Sequence, residues 1–214
     1  MIDKIDCMNR VGNDSHTQLI ALLKALQGGW IPPETISEEE YIRVRDHKED
    51  YPDHYVGLVG FCCTFGSKYF GGFARGKTDK GVPRDYYQEA VRNLRKQMPQ
   101  LERVQLCNKD YLDIDMSGLH GAVIYCDPPY RATTKYETDQ FDYERFYDWC
   151  REVAKTNILL VSEYEMPSDF ACIWEKQVST SLDVSNKRHE NEQRVERLFM
   201  INPEKYGVRP ISYT

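Results

Sequence analysis

The stretch 123-VIYCDPPY-130 decides the predicted fold, because it joins a short apolar run to one carboxylate, two prolines and a tyrosine. Val123, Ile124 and Tyr125 are β-branched or aromatic, which predicts a short buried strand. The polar cluster then lies at the carboxyl end of that strand. In open α/β sheets ligands bind at this edge, since the loops leaving the strand ends converge on a crevice. We therefore expect a site at residues 127–130.

Helical and strand-like patterns alternate along the rest of the chain. Helices are predicted for residues 15–27 with Ser15 as the cap, from Ser37 onward, and for 53–63, 84–98 and 141–155. Strands are predicted within 101–114 and at 122–126, 157–164, 172–182 and 194–201. Glycine alternates with aromatic and basic residues over 65–75, which predicts a loop or hairpin. The alternation as a whole predicts a mostly parallel sheet in an α/β fold.

Length and composition limit the class of protein. A chain of 214 residues suits one domain with an insertion. No apolar run approaches the ~20 residues that span a bilayer, and the amino terminus lacks the apolar core of a signal peptide, which predicts a cytoplasmic protein without a membrane partner. Seven cysteines without CxxC spacing predict reduced thiols and no metal site. A net charge of −6 disfavours purely electrostatic binding of nucleic acid but allows a local basic groove.

The DPPY cluster has the groups needed to activate an aromatic exocyclic amine. The lone pair of such an amine is drawn into the ring, so the nitrogen attacks an electrophilic methyl group poorly. Asp127 and the Pro128 carbonyl can each accept one N–H hydrogen bond and stabilise charge during attack. Proline removes competing N–H donors, and Tyr130 offers a face on which a flipped base can stack. The alternative is a tight turn that merely ends a strand.

The chain resembles the Dam-type class of adenine-specific DNA methyltransferases, whose DPPY motif matches residues 127–130. Segments 11–30 and 185–202 also resemble that family, so the resemblance covers most of the chain. It implies a Rossmann-like, S-adenosylmethionine-dependent methyltransferase sheet with an inserted, mostly helical target-recognition region. Residues 1–29 and 83–214 would form the catalytic core and residues 30–82 the insertion.

The resemblance also implies roles for individual residues. Asp14 would hold the ribose hydroxyls of S-adenosylmethionine, Asp110 would contact its adenine with Tyr111 packed nearby, and Asp127 would border the same cofactor. Asp127, Pro128 and Tyr130 would act in catalysis. An acidic residue at a strand end is also a common helix cap, so capping remains the alternative for Asp14 and Asp110.

Two basic segments are candidate contacts to double-stranded DNA. Lys68, Tyr69 and Arg75, with Phe70 and Phe73, lie in the predicted insertion. Lys187 and Arg188 lie in a segment resembling the family's basic loop. The alternative for both segments is a solvated surface loop.

The printed sequence departs from the family pattern at its amino terminus. The glycine-rich FxGxG-like loop that wraps the methionine part of the cofactor has no counterpart, and the chain is expected to begin inside the helix that follows that loop. A shortened gene, a start codon assigned too late and a partner chain that supplies the segment all remain open.

The resemblance implies a phage or prophage enzyme that methylates the 6-amino group of a flipped adenine. Its role in restriction-linked protection or in regulation stays open. One alternative is a truncated, non-catalytic homologue that binds DNA or a partner protein. Another is methylation of RNA or of a protein glutamine.

Overall fold

A computed structural model describes residues 4–77, 80–130, 141–179 and 193–210. The chain divides into two compact units, Met1–Ile114 and Asp115–Thr214. Within the described ranges there are five α-helices and six β-strands, which makes the protein a mixed α/β protein. None of the helices in these ranges is long and apolar enough to cross a membrane.

The first unit contains a two-stranded parallel sheet. Strand β1 (Arg10–Asn13) pairs with β2 (Val104–Cys107), so that Asn13 faces Cys107 at the carboxyl end of the pair. Helix α1 (Thr17–Gln27) follows β1 after a three-residue connection. Its Ile20 is buried with Val104 and Leu106 of β2, which fixes the helix on the small sheet.

Three further helices complete this unit: α2 (Glu38–Asp46), α3 (Asp53–Cys62) and α4 (Tyr86–Leu101). The Ser37 side chain accepts a hydrogen bond from the Glu40 N–H and caps α2, as predicted, with three glutamates in the first turn of the helix. Their apolar faces form one core with α1, whose fully buried members include Leu22, Leu26, Tyr41, Val44, Val56, Leu58, Val59 and Val91.

Helix α3 approaches α1 at a glycine. A Cβ atom added at Gly57 would overlap the Gln18 carbonyl oxygen and lie 3.2 Å from the Leu22 Cβ. The α1 and α3 backbones can therefore approach this closely only because position 57 has no side chain.

The second unit contains β3 (Val123–Cys126), α5 (Tyr143–Val153), β4 (Ile158–Glu163), β5 (Phe170–Ser179) and β6 (Gln193–Ile201). Its sheet has the order β3-β4-β6-β5. The β3/β4 pair is parallel, whereas β6 runs antiparallel to both β4 and β5. The expected parallel pairing therefore holds for β1/β2 and β3/β4, and the expectation of a mostly parallel sheet is wrong for the other two pairs.

Other sequence expectations need correction. Helix α1 begins at Thr17, and the His16 side chain rather than Ser15 accepts from the Leu19 N–H. The first described strand or α-helix is β1, not the helix expected at the start of the chain. Strand β3 is present but not buried: Val123 is 67% exposed, because β3 pairs with only one strand among those described.

The predicted insertion, residues 30–82, contains α2 and α3 and lies in the same compact unit as α1 and α4. Segment 65–75 forms a loop, as predicted, with one turn of 3-10 helix at Phe65–Ser67 and one antiparallel bridge between Thr64 and Phe73. The proposed boundaries of core and insertion stay a prediction.

Replacing Gly57 with Ala should destabilise the first unit by about 1–3 kcal/mol, because the new methyl group has no space between α1 and α3. Urea unfolding followed by far-ultraviolet circular dichroism measures this loss. Gly28→Ala is the matched control, since a Cβ there meets only ordinary contacts at 3.4 and 3.5 Å. Equal stability of the two variants would contradict the close approach of the helices.

Candidate functional site

In the first unit, polar residues follow both parallel strands and hold the two strand ends together. The Asn13 side-chain amide donates to the Lys109 carbonyl at 3.0 Å, and its oxygen accepts from the Lys109 N–H at 3.1 Å. The Asn108 amide donates to the Asp14 carbonyl at 2.9 Å, and the Thr17 hydroxyl donates to the Asn108 side-chain oxygen at 3.1 Å. The loops that carry Asp14 and Asp110 are thus joined at one sheet edge.

Each of these two acids uses one oxygen to accept a local backbone hydrogen bond. Asp14 Oδ1 accepts from the His16 N–H at 2.7 Å, and Asp110 Oδ1 accepts from the Leu112 N–H at 2.9 Å. The capping role that the sequence left open is therefore present at Asp110, which caps the short 3-10 helix Tyr111–Asp113. Asp14 instead holds the turn before α1, and His16 caps that helix. In the part of the chain that the structure describes, no hydrogen bond reaches the Oδ2 atom of either carboxylate. With respect to the described residues, one oxygen of each acid is therefore available for a ligand.

In the second unit, the parallel pairing of β3 with β4 places Asp127 beside Ser162. The Ser162 hydroxyl donates to Asp127 Oδ1 at 2.7 Å and accepts from the Tyr125 hydroxyl at 2.9 Å. Ser162 is only 9% exposed, whereas Asp127 is exposed. The three side chains form a hydrogen-bonded row that orients one carboxylate oxygen. No described residue donates a hydrogen bond to Asp127 Oδ2.

A side chain of α5 contacts one of the two prolines that follow Asp127. The Tyr143 hydroxyl donates to the Pro129 carbonyl at 2.9 Å. Among the described residues, none donates to the Pro128 carbonyl. The DPPY segment therefore has one tethered carbonyl, while the carbonyl next to Asp127 stays available as an acceptor.

The Tyr130 ring meets the Tyr164 ring edge to face, with 4.7 Å between centroids. Arg197 of β6 donates to the Tyr164 carbonyl at 2.6 Å and so fixes the segment that carries this ring. A cleft of about 560 Å³ opens beside Tyr164, lined by α5 residues and by residues 163–167. This volume is within the range of small-molecule pockets.

Burial raises the pKa of both Tyr125 and Tyr130, because it disfavours the phenolate. For each ring a hydrogen bond with Ser162 opposes that rise, and the negative charge of Asp127 adds to it. Both phenols consequently stay neutral near pH 7 and can donate hydrogen bonds.

Sequence reasoning identified Asp127 but missed Ser162 and Tyr164. Both lie at the end of the predicted strand 157–164, one residue on either side of Glu163. The signal was available: this strand ends in polar residues just as β3 does, and parallel neighbours bring such ends together.

The predicted DNA contacts of the insertion have different environments. Lys68 is exposed, and Arg75 pairs with Glu38, its Nε donating at 3.0 Å. The Tyr69 ring packs against His16 and Phe61, with centroid distances of 4.3 and 4.9 Å. Burial raises the pKa of Tyr69. Tyr69 therefore serves packing within the first unit, whereas Lys68 is accessible.

Phe70 and Phe73 both pack against the buried Tyr41 ring, with centroids 5.5 and 5.6 Å away. Lys187 and Arg188 lie outside the described residues. In the described ranges no group of three or more His, Cys, Asp or Glu side chains could hold a metal ion.

Comparison of the sequence with protein-family models and with curated proteins finds no match in either.

Replacing Asp127 with Asn should lower the pKa of Tyr125, because the substitution removes a negative charge that opposes phenolate formation. Nuclear magnetic resonance titration of a chain labelled at tyrosine Cζ measures this pKa, and loss of one resonance in Tyr125→Phe assigns it. Asp148→Asn, an exposed acid on α5, is the control and should leave the titration unchanged. An unaltered Tyr125 pKa in Asp127→Asn would contradict the Tyr125–Ser162–Asp127 row.

Proposed function

We propose that this chain is a DNA adenine methyltransferase with a Rossmann-like sheet, in which Asp127 and the Pro128 carbonyl bind the 6-amino group of a flipped adenine. The observation that carries the proposal is the Asp127 carboxylate. Ser162 holds its Oδ1, and among the described residues none donates a hydrogen bond to Oδ2 or to the carbonyl of the next residue, Pro128.

This pair of acceptors matches what an aromatic amine needs before it can attack carbon. One N–H donates to Asp127 Oδ2 and the other to the Pro128 carbonyl, which turns the nitrogen lone pair out of conjugation with the ring. As the nitrogen becomes positively charged, both acceptors stabilise it. Because Ser162 already holds Oδ1, the carboxylate needs little reorganisation when the amine binds.

The proposed cofactor is S-adenosylmethionine, which supplies an electrophilic methyl group when bound. The acceptors of the first unit fit this molecule, since S-adenosylmethionine can donate from the two hydroxyls of its ribose and from the amine of its adenine. Asp14 Oδ2 and Asp110 Oδ2 are acceptors at one sheet edge, held by the Asn13 and Asn108 hydrogen bonds. Tyr111 follows Asp110 and is half-buried, so its ring can pack beside the adenine.

Tyr130 is the proposed stacking partner of the target base. Its edge-to-face contact with Tyr164 and the tether of Pro129 to Tyr143 restrict the ring before a base arrives. A nucleobase flipped out of a duplex is commonly read by such stacking and by hydrogen bonds to its edge.

DNA is the proposed acceptor, with Lys68 and Arg75 of the insertion and Lys187 and Arg188 as contacts to the backbone. The experiments below distinguish this proposal from three alternatives: a non-catalytic homologue, an enzyme that methylates RNA, and an enzyme that methylates a protein glutamine.

Calorimetric titration with S-adenosylmethionine should show saturable binding that weakens about 10-fold or more in Asp14→Asn and in Asp110→Asn. Asparagine keeps the Oδ1 acceptor of each turn but loses the charge, and hydrogen bonds to charged groups contribute about 1.5–3 kcal/mol. Asp46→Asn on α2, an exposed acid paired with Arg45, is the control. A folded chain without measurable binding would show that these residues alone do not hold the cofactor.

Methyl transfer from labelled S-adenosylmethionine to unmethylated duplex DNA should fall at least about 100-fold in Asp127→Ala, the loss typical of removing one group that stabilises charge in a transition state. Cofactor affinity should fall much less than methyl transfer, since Asp14 and Asp110 are intact and Asp127 only borders the cofactor. Asp148→Ala is the matched control.

Methyl transfer that is retained in Asp127→Ala would contradict the catalytic role assigned to this carboxylate. Methyl transfer to RNA or to protein instead of DNA would support the proposed activation of an amine and would show that the acceptor is not DNA. Binding of DNA without transfer to any acceptor would identify a non-catalytic homologue.

A further inference from the structure

We propose that the outward face of α4 binds the phosphates of duplex DNA through Arg92, Arg95 and Lys96, a surface separate from the DNA contacts suggested above. The choice of DNA over other polyanions rests on the proposed function, whereas the surface itself rests on the observations that follow. We refer to these three residues as the α4 basic face.

The three cations lie on one side of α4. At 3.6 residues per turn they fall within an arc of about 100°, and Arg92 and Lys96 are about 6 Å apart along the helix axis. All three are exposed. The opposite side of the helix holds the buried Tyr87, Val91 and Leu101, so packing fixes which way the cations point.

Among the described residues no acid forms a close ion pair with this face, although the Glu89 carboxylate, which pairs with Arg84, also attracts Arg92. Among the described residues, Arg92, Arg95 and Lys96 form no ion pair and no hydrogen bond through their side chains. Arg84, which lies just before the same helix, differs from them. It forms a bidentate ion pair with Glu89, with distances of 2.7 and 2.6 Å. Within the described ranges, the cation before α4 has a close carboxylate partner, whereas the three cations along the helix have none.

The spacing of these three cations destabilises the folded helix. Arg92 with Arg95 and Arg92 with Lys96 are like charges at helical spacings i,i+3 and i,i+4, each of which destabilises a helix by some tenths of a kcal/mol. The rest of the chain is strongly acidic, since the whole sequence has 34 acidic and 28 basic side chains. Acidic residues are therefore common in the rest of the chain, yet residues 91–101 of α4 contain none.

The chemistry of the surface favours nucleic acid over protein. None of the exposed large hydrophobic side chains in the described ranges lies on α4, whereas the centre of a protein interface is usually apolar or aromatic. The neutral amides Asn93 and Gln97 are exposed next to the cations. Cations and amides together supply the donors that contact phosphate and sugar oxygens in nucleic-acid complexes.

The test is the salt dependence of DNA binding by the full chain, measured without cofactor by fluorescence anisotropy of a labelled unmethylated duplex between about 50 and 200 mM salt. In Arg92→Gln/Arg95→Gln/Lys96→Gln, the slope of log affinity against log salt should decrease in magnitude by about 2–3, since each phosphate contact contributes about 0.9. Affinity at low salt should fall at least about 10-fold. Glutamine keeps the helix propensity, so circular dichroism should be unchanged.

The matched control is Lys4→Gln/Lys24→Gln/Arg43→Gln, which removes the same charge from exposed positions of the same unit. Equal losses in the two triple variants would show a bulk-charge effect and overturn the proposal. An unchanged slope in the α4 variant would also overturn it, as would competition by polyglutamate or single-stranded RNA equal to that by duplex DNA.

The same variants separate this inference from the proposed function. A chain that binds DNA through the α4 basic face but transfers no methyl group supports the surface and contradicts the enzyme. A chain that methylates DNA with equal affinity in wild type and α4 variant supports the enzyme and contradicts the surface.

Discussion

The parallel pairing of β3 with β4 is the constraint on which the second unit depends. Its register sets Cys126 opposite Val161, so the next residue of each strand, Asp127 and Ser162, can meet. A slip of one residue would turn Ser162 to the other face of the sheet and leave the carboxylate without its donor. The hydrogen bond at 2.7 Å therefore depends on strand register, since Asp127 directly follows β3.

The first unit repeats the same principle with different residues. Its parallel pair β1/β2 also ends in polar side chains, but here amides take the role that Ser162 has in the second unit. Asn13 and Asn108 bond to backbone groups of the opposite loop, so they fix loop position and leave the acids to local turns. Both sheets thus have ordered acceptors at the carboxyl ends of parallel strands, which is where α/β proteins bind ligands.

Much of this architecture could be predicted from the sequence, because apolar periodicity and capping residues are local signals. The pattern of α5 and the capping of α2 by Ser37 are examples that the structure confirms. The partners of β6 could not be predicted, since antiparallel pairing with β4 depends on contacts distant in sequence. At the site, Asp127 was identifiable by its motif, whereas Ser162 acquires its meaning only once the two strands are paired.

The exposure of Val123 on β3 has a consequence for the behaviour of the protein in solution. Among the described strands β3 lies at the edge of its sheet, and an apolar edge strand presents backbone donors and acceptors that can pair with the same edge of another molecule. What opposes such association at neutral pH is the net charge of −6. That repulsion vanishes near the isoelectric point of about 5.5, so the solubility of the chain should be lowest in mildly acidic buffer.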